Sequence, residues 1–99
     1  MAVVSSQVFS GPPGTKTNTL FSPTFPATVV VTVISNSGYA TTVNLECPAG
    51  FSIWNDTIAP LDNIEIRGLV LTPGNALFAT DNSQAPDGIL YLVSGYNNQ

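Results

Sequence analysis

Turn-forming residues divide this sequence into short apolar stretches, and this feature limits its fold most. Eight prolines and eight glycines in 99 residues interrupt runs rich in Val, Ile and Thr. No window places apolar residues three and four positions apart, as an amphipathic helix would. Short β-prone runs between turns are typical of antiparallel sandwiches. We therefore predict an all-β fold: a single antiparallel β-sandwich, jelly-roll-like or immunoglobulin-like, of seven to eight short strands with an extended N-terminal segment.

Two neighbouring segments carry the strongest strand patterns. In residues 27–34, apolar side chains occupy both alternating sets of positions, which predicts a central strand partly covered on both sides. Residues 39–47 alternate between polar and inward positions. Because a Ser-Asn-Ser-Gly turn separates the two segments, we predict that they form a hairpin. The predicted inward residues of the second segment are Thr41, Val43, Leu45 and Cys47.

The rest of the chain gives weaker patterns within one domain. In residues 63–71 the apolar positions change register, so a bulge at Gly68 is needed to keep Leu69 and Leu71 inward. Residues 55–60 are predicted to be a connection rather than a strand. The other predicted strands are 2–9, 15–21, 51–54, 76–80 and 88–94. The predicted organisation is an N-terminal strand with a Pro/Gly-rich extended segment (1–26), a sandwich body (27–95) and a frayed tail (96–99).

Charged side chains are scarce. They make up 8% of the chain, against roughly 25% in ordinary soluble domains, and the only cations are Lys16 and Arg67. Hydrophobic residues reach 43%, which is not the composition of a disordered chain. A folded, apolar chain with few ions is poorly solvated alone, so we predict that copies or a partner cover part of it. The alternative is a monomer solvated by Ser, Thr, Asn and Gln.

The negative net charge limits the classes of partner that this chain is expected to bind. A net charge of −4 argues against nucleic acid, whose binding requires cations that neutralise phosphates, and against an anionic membrane surface. No apolar run reaches the roughly 20 residues of a membrane helix. The single cysteine, Cys47, is expected to be a buried apolar thiol, and an intermolecular crosslink is the alternative. Without a basic, apolar leader at its start, the chain is expected to fold in a reducing cytoplasm.

The residues for catalysis are largely missing. The sequence has no histidine, which removes the commonest general base and metal ligand. Asp62 and Glu65 flank a turn and are expected to solvate it, with Glu65 pairing with Arg67 or with a cross-strand neighbour. Asp81 and Asp87, in a polar loop, have oxygen ligands for calcium but not the spacing of a known loop, so a turn is favoured. We predict no enzyme activity, no cofactor and no metal.

Aromatic residues are the remaining functional candidates. Trp and Tyr are enriched at protein interfaces, so we predict that these side chains lie at the rim of the core or in subunit contacts. A stacking platform for a sugar, built from Trp54 and the three tyrosines, is the alternative. The candidate contact residues are Phe21, Phe25, Tyr39, Trp54, Tyr91 and Tyr96.

The stretch NDTIAPLDNIEIRGLVLTPGNALFA, residues 55–79, resembles small virion proteins of tailed bacteriophages. Proteins of that group have a Thr-Ile-Ala-Pro turn, a strand, a Leu-x-Leu run, a Pro or Gly turn and Leu-Phe/Tyr-Ala. They end in Val-Ser-Gly, as at 93–95 here. The Val-rich strand, Asn-Ser-Gly at 36–38 and Thr-Thr-Val-Asn-Leu at 41–45 are also similar. The resemblance covers about residues 27–95 and is a pattern of strands and turns.

This resemblance implies a structural part of a virion, assembled in the host cytoplasm. The expected function is that of a capsid decoration (cement) protein, whose partners are copies of itself, for example in a trimer, and a major capsid or other virion protein. Contacts are expected on residues 15–26 and on the exposed side of 27–34. One alternative is a head-fibre, neck or tail component that binds host surfaces or glycans. Another is a self-polymerising filament subunit, although similar spore-appendage subunits cross-link through N-terminal cysteines that this chain lacks.

Overall fold

The computed structural model describes residues 3–98, with side chains described from residue 5, and every regular element in this range is a β-strand. Turns rich in Pro, Gly, Asn and Ser separate the strands, because these residues adopt turn conformations readily. The eight strands are β1 (Val3–Phe9), β2 (Lys16–Phe21), β3 (Ala27–Ser35), β4 (Thr41–Glu46), β5 (Ser52–Ile58), β6 (Asn63–Leu71), β7 (Leu77–Asp81) and β8 (Ile89–Asn97).

The strands form two four-stranded antiparallel sheets, with the orders β1–β8–β3–β6 and β2–β7–β4–β5. Among these strands only β4 and β5 are consecutive in sequence and hydrogen-bonded to each other. Every other connection crosses from one sheet to the other, which is the topology of a jelly roll. An immunoglobulin sandwich instead pairs its first two strands within one sheet. The predicted antiparallel sandwich is confirmed, and its jelly-roll form is the one observed.

The predicted hairpin between residues 27–34 and 39–47 is wrong. Strand β3 pairs with β6 and β8, whereas β4 pairs with β5 and β7 in the opposite sheet. The alternation within each strand was nevertheless predicted correctly, since Thr41, Val43 and Leu45 are buried. Both strands face the same core from opposite sides, so an inward pattern does not reveal which strand is the neighbour.

The core lies between the two sheets and uses alternate residues of the central strands. In β3, Val29, Val31 and Val33 are fully buried, while the outward residues between them are half-buried. Strands β4 and β7 alternate in the same way in the facing sheet. Burying each such side chain contributes about 1.5–3 kcal/mol. The largest buried side chains include Leu20, Leu45, Ile58, Leu71, Leu77, Ile89 and Tyr91.

The predicted bulge in β6 is confirmed. Between the pairs Val29–Leu69 and Val31–Ile66, β3 advances two residues while β6 advances three. Gly68 has a φ of 74°, in the left-handed region where glycine has no steric penalty. The extra residue returns Leu71 to the core, and Leu69 is half-buried against it.

Strand β5 is longer than predicted, and so is β8. Residues 55–58, predicted to be a connection, continue β5 to Ile58, whose side chain is fully buried. The tail predicted to fray from residue 96 instead continues β8 to Asn97. The Asn98 N–H then donates to the Pro26 carbonyl at 2.8 Å. Polar sequence in these segments is compatible with strand because β5 is an edge strand and the end of β8 lies at the end of its sheet.

The N-terminal quarter supplies two edge strands. Residue 2 of the predicted first strand lies outside the described residues, and the remainder is β1, at one edge of the first sheet. Residues 16–21 form β2, which pairs with β7 at an edge of the second sheet. The segment that follows places Pro23 in a buried position. Strands β1 and β2 therefore belong to the sandwich, whereas Pro12, Pro13, Ser22 and Thr24 in the adjoining turns are exposed.

Backbone hydrogen bonds join four loops at one end of the sandwich. Ser35 N–H donates to Asp62 O at 2.8 Å, Asn36 N–H donates to Gly88 O at 2.7 Å, and Gly14 N–H donates to Ser83 O at 2.9 Å. These bonds tie the loops β1–β2, β3–β4, β5–β6 and β7–β8 together. The loops at this end of the sandwich are therefore fixed relative to one another by backbone hydrogen bonds.

Candidate interaction surface

The outer surfaces of the two sheets differ in character. In the first sheet, the register places Leu90 of β8 opposite both Phe9 of β1 and Ile34 of β3. Leu92 lies one outward position further along β8. We call this outer surface of β1–β8–β3–β6 the apolar face, and its apolar members are Phe9, Val30, Ile34, Val70, Leu90, Leu92 and Tyr96.

The apolar face is exposed to solvent in the single chain. Phe9 has 53% of its surface exposed, Val70 66% and Tyr96 47%, while Leu90 and Leu92 are half-buried by neighbouring strands. Between them lie uncharged polar residues such as Thr32 and Ser94. The outward side of an antiparallel sheet in a soluble protein is normally polar. Contiguous exposed apolar side chains on a sheet mark a surface that another molecule covers.

The outer surface of β2–β7–β4–β5, which we call the polar face, already satisfies its own polar groups. Thr17 and Thr80 share a hydroxyl hydrogen bond of 2.8 Å between strands, and Asn44 Nδ2 donates to Glu46 Oε2 at 3.0 Å. Asn55 Nδ2 donates to Asn44 Oδ1 at 3.3 Å. The Thr17–Thr80 and Asn55–Asn44 pairs are cross-strand, the Asn44–Glu46 pair lies within β4, and polar pairs of this kind are suited to solvent. This sheet also has apolar residues, since Phe78 of β7 is half-buried and Ile53 of edge strand β5 is 43% exposed. The first sheet has seven outward apolar side chains and is therefore the stronger candidate contact surface.

Charged side chains are also distributed unevenly between the apolar face and the rest of the surface. Lys16 pairs with Asp81 inside the sandwich, and Arg67 forms an ion pair with Glu65, which is one of the two partners predicted for Glu65. The Arg67–Glu65 pair lies on β6, at the edge of the apolar face, and neutralises itself. The four other carboxylates account for the net charge of −4. They lie on the polar face, on edge strand β5 and in two loops: Glu46, Asp56, Asp62 and Asp87.

A buried polar cluster links the two sheets. Asp81 is 1% exposed, and its Oδ1 is 2.9 Å from Lys16 Nζ. Its Oδ2 accepts the Tyr91 hydroxyl hydrogen bond at 2.7 Å, and Oδ1 also accepts the Ser83 N–H at 3.0 Å. Asp87, the other acidic residue considered for calcium, is not part of this cluster. Its Oδ1 accepts a hydrogen bond from the exposed Gly11 N–H.

Burial sets the acid–base properties of two residues. The pKa of the Tyr91 hydroxyl is raised well above its usual value, first by burial and then by the hydrogen bond to, and the negative charge of, Asp81. Burial also raises the pKa of the Cys47 thiol. Cys47 is half-buried against the core, and its Sγ donates to the Asn75 carbonyl at 3.4 Å. Both groups are therefore held in their neutral forms.

One predicted contact residue lies in the core. Tyr91 is 0% exposed, so the prediction that it contacts a partner is wrong. Its position on β8 alternates inward with Ile89 and Val93, and its hydroxyl is satisfied by Asp81. The polar tip of the side chain, which suggested a rim or interface position, instead serves the buried cluster.

The other five candidates lie in separate places. Phe21, Phe25 and Trp54 are half-buried and pack against the margin of the core. Tyr39 is 72% exposed in the β3–β4 loop, whereas Tyr96 lies on the apolar face near the opposite end of β8. The described structure therefore does not bring Trp54 and the tyrosines into one stacking platform.

Sequence reasoning missed the strongest part of the apolar face. Leu90 and Leu92 were assigned to a strand but not to an exposed surface, and Phe9 was not singled out. The signal was present in the unbroken apolar run at residues 89–93. Such a run predicts a strand covered on both sides. Strand β8 is central in its sheet, and only one of its two sides is covered within the chain.

Comparisons with known proteins add no identification. No protein-family model matches this sequence, and no curated protein matches it. Within residues 3–98, no helix is long and apolar enough to cross a membrane. Among the same residues, no three His, Cys, Asp or Glu side chains are grouped as a metal site would require.

Proposed function

We propose that this chain is a structural protein of a bacteriophage virion, and specifically a capsid decoration protein that stabilises the shell through many identical contacts. The observation that carries the proposal is the apolar face. It leaves Phe9, Leu90 and Ile34 in one continuous row across three strands, on the outside of a chain with few surface ions. Such a surface is completed by contact with other protein chains.

The architecture supports the same proposal. Jelly rolls with two sheets occur in viral capsid proteins, and also in lectins and cupins. The segment that resembles phage virion proteins, residues 55–79, comprises most of β5, all of β6 and part of β7 with their turns. The resemblance therefore follows structural elements rather than the residues of a reactive site. Fold alone does not specify function, so the surface chemistry carries more weight.

Because many copies would bind the same shell, a weak contact by each copy would be sufficient for stable attachment. A decoration protein attaches at many equivalent positions of a symmetric lattice, and linked binding events can raise overall avidity by about 10²–10⁴ without new contacts. The apolar face would supply area, and the row of Phe9, Leu90 and Ile34 would supply the central anchors. The shell would be stabilised because the bound chain bridges neighbouring subunits.

Purified virions of the source phage provide the test. Mass spectrometry should find the chain in gradient-purified particles at a fixed ratio to the major shell protein. Particles stripped of the chain should lose thermal stability and regain it when the purified chain is added back. Because the proposed contact is apolar, about 1 M salt, at which the Debye length falls to about 3 Å, should not release the bound chain.

Two results would contradict the proposal. One is absence of the chain from purified particles. The other is failure of the folded chain to rebind stripped particles. A variant with a lysine on the apolar face, Leu92→Lys, should not rebind, whereas Phe78→Lys on the polar face should rebind normally. Both positions are half-buried, outward residues of central strands, so the pair controls for the general effect of adding a charge.

A further inference from the structure

We propose that the carboxylate of Asp56 blocks strand β5 from pairing, edge to edge, with β5 of a second copy of this chain. Strand β5 lies at one edge of its sheet. An edge strand presents a row of backbone N–H and C=O groups to which another chain can add a strand. In a purified solution that chain is a second copy. Such a block operates in the isolated chain and is independent of the virion role proposed above.

The hydrogen bonds of β4 establish which backbone groups of β5 point away from the sheet. Thr42 lies opposite Thr57, and the Thr42 N–H donates to Asn82 Oδ1 at 3.0 Å, on the side of β7. In an antiparallel pair, opposed residues alternate between those that exchange both backbone hydrogen bonds and those that exchange none. Thr42 and Thr57 are a pair of the second kind. The Thr57 N–H therefore points outward from the edge of the sheet.

The side chain of Asp56 occupies this outward group. Its Oδ1 accepts the Thr57 N–H at 2.8 Å, so the donor that an added strand would use is already satisfied. An added strand would bring a carbonyl oxygen to the same N–H, where the negative carboxylate repels it. In a two-fold pairing centred on this part of β5, the Asp56 side chains of the two copies would also face each other. Like charges across strands are destabilising.

The position of Asp56 in the strand is otherwise suited to an apolar residue. It lies opposite Val43, which is fully buried, and it alternates with Trp54 and Ile58, which pack in or against the core. The register shift between β4 and β5 precedes Trp54, so residues 54–58 form a regular edge with Asp56 at its middle. Charged residues at inward positions of edge strands are one of the devices by which proteins oppose edge pairing.

The other three edge strands have different protection. Strands β1 and β2 lie at the same side of the sandwich and are joined by side chains that bond to backbone carbonyls. Ser6 Oγ donates to the Leu20 carbonyl at 2.8 Å, and Asn18 Nδ2 donates to the Ser10 carbonyl at 3.2 Å. Strand β6 has the bulge at Gly68, and a bulge turns an edge away from pairing. Each edge thus has a feature that opposes pairing, and in β5 that feature is the carboxylate.

Sedimentation equilibrium of purified variants tests the block. At about 1 mM, Asp56→Ala should have an average mass at least about 1.5 times that of the unaltered chain, as a weak contact with a dissociation constant of about 1 mM gives. Asp62→Ala is the matched control and should have the mass of the unaltered chain. Asp62 is also exposed, and its Oδ1 likewise accepts the N–H of the next residue at 2.8 Å. It lies in the β5–β6 turn rather than along the edge.

A second substitution establishes whether the edge is the contact. Because the Thr57 N–H points outward, Thr57→Pro removes a donor that the sheet does not use. The double variant Asp56→Ala/Thr57→Pro should therefore return to the mass of the unaltered chain. Urea unfolding of dilute samples establishes that each variant is folded. If the double variant does not fold, Asp56→Lys replaces it and should not associate, because lysine on an edge strand also opposes pairing.

Three results would overturn the block. One is an Asp56→Ala variant with the same average mass as the unaltered chain. Another is equal association of Asp62→Ala, which would indicate an effect of net charge alone. The third is association of Asp56→Ala that persists in the double variant or in Asp56→Lys. The rebinding of stripped particles tests the virion role separately, so either proposal can fail without the other.

Discussion

The Tyr91 hydroxyl donates a hydrogen bond to Oδ2 of Asp81 at 2.7 Å, where solvent reaches neither residue. The carboxylate also pairs with Lys16, whose Nζ donates to the carbonyls of Gly14 and Ser83 as well. The three ammonium hydrogens of Lys16 thus have three acceptors. Because Lys16 and Asp81 belong to the second sheet and Tyr91 to the first, this cluster is a polar connection across the sandwich.

Replacing Asp81 by alanine should be strongly destabilising. The substitution leaves the Lys16 ammonium, whose side chain is 14% exposed, without its counter-ion, and leaves the Tyr91 hydroxyl without its acceptor. Breaking a buried ion pair from one side costs about 3–5 kcal/mol. Equilibrium urea unfolding measures the loss. Asp56→Ala, which removes an exposed carboxylate from β5, is the matched control and should change the free energy of unfolding by less than about 0.5 kcal/mol.

Tyr91→Phe should alter the alkaline dependence of stability. The raised pKa of Tyr91 means that above pH about 10, the usual tyrosine pKa, the unfolded state loses this proton while the folded state keeps it. The stabilisation is therefore complete below pH 10 and declines above it, by up to about 1.4 kcal/mol per pH unit. The phenylalanine variant lacks this decline.

Unfolding free energies of both proteins, measured from pH 8 to pH about 11.5, test this prediction. Near pH 8, Tyr91→Phe should be less stable by about 1–3 kcal/mol, because Asp81 loses a buried donor. That difference should shrink above pH 10. Other groups that titrate in this range, including Cys47, are shared by both proteins and cancel in the difference. Two curves that remain parallel would contradict the assignment.

Gly68→Ala should destabilise the chain through its backbone alone. A Cβ at Gly68 would meet no atom within 4 Å, but the residue has a φ of +74°. The left-handed conformation costs a non-glycine residue about 1–2 kcal/mol. Gly38→Ala is the control, because that position is also open and its φ is not in the left-handed range. A loss at Gly68 no larger than at Gly38, measured by urea unfolding, would mean that the bulge is not maintained by glycine.

Gly95→Ala should be destabilising for a different reason. A Cβ there would lie 2.1 Å from the Thr28 carbonyl oxygen and 2.8 Å from the Val29 Cα, and backbone atoms in the centre of a sheet cannot move away freely. Overpacking of this kind typically costs about 1–3 kcal/mol. Thermal unfolding compared with Gly38→Ala measures it. A variant as stable as that control would show that β3 and β8 are less closely packed than the register Val29–Gly95 implies.

Local patterns predicted the strands well where one face is buried. The alternation of Thr41, Val43 and Leu45 and the register change at Gly68 both follow from side chains that must point to the core. The same patterns failed for pairing, because a turn at residues 36–38 is compatible with either a hairpin or a crossing between sheets. The predicted β5 ends too early, because Asn55 and Asp56 are polar. An edge strand tolerates polar residues that a central strand would not.

Function-related residues were harder to predict. The prediction of contact residues relied on aromatic type, and it therefore included Tyr91, which lies in the core. It did not include Leu90 and Leu92, which lie on the outer side of the same strand. The difference between them depends on which side of β8 has a second sheet behind it. No property of the individual residues contains that information.

The sequence by itself determined that the chain is built of short antiparallel strands, that alternate residues of those strands form one core, and that few ions remain for the surface. These properties follow from local turn chemistry and side-chain periodicity. Tertiary structure decided the jelly-roll order, the meeting of Lys16, Asp81 and Tyr91, and the apolar character of one outer face. Each of these depends on contacts between strands distant in sequence, because a side chain's surroundings are fixed only when the sheets assemble.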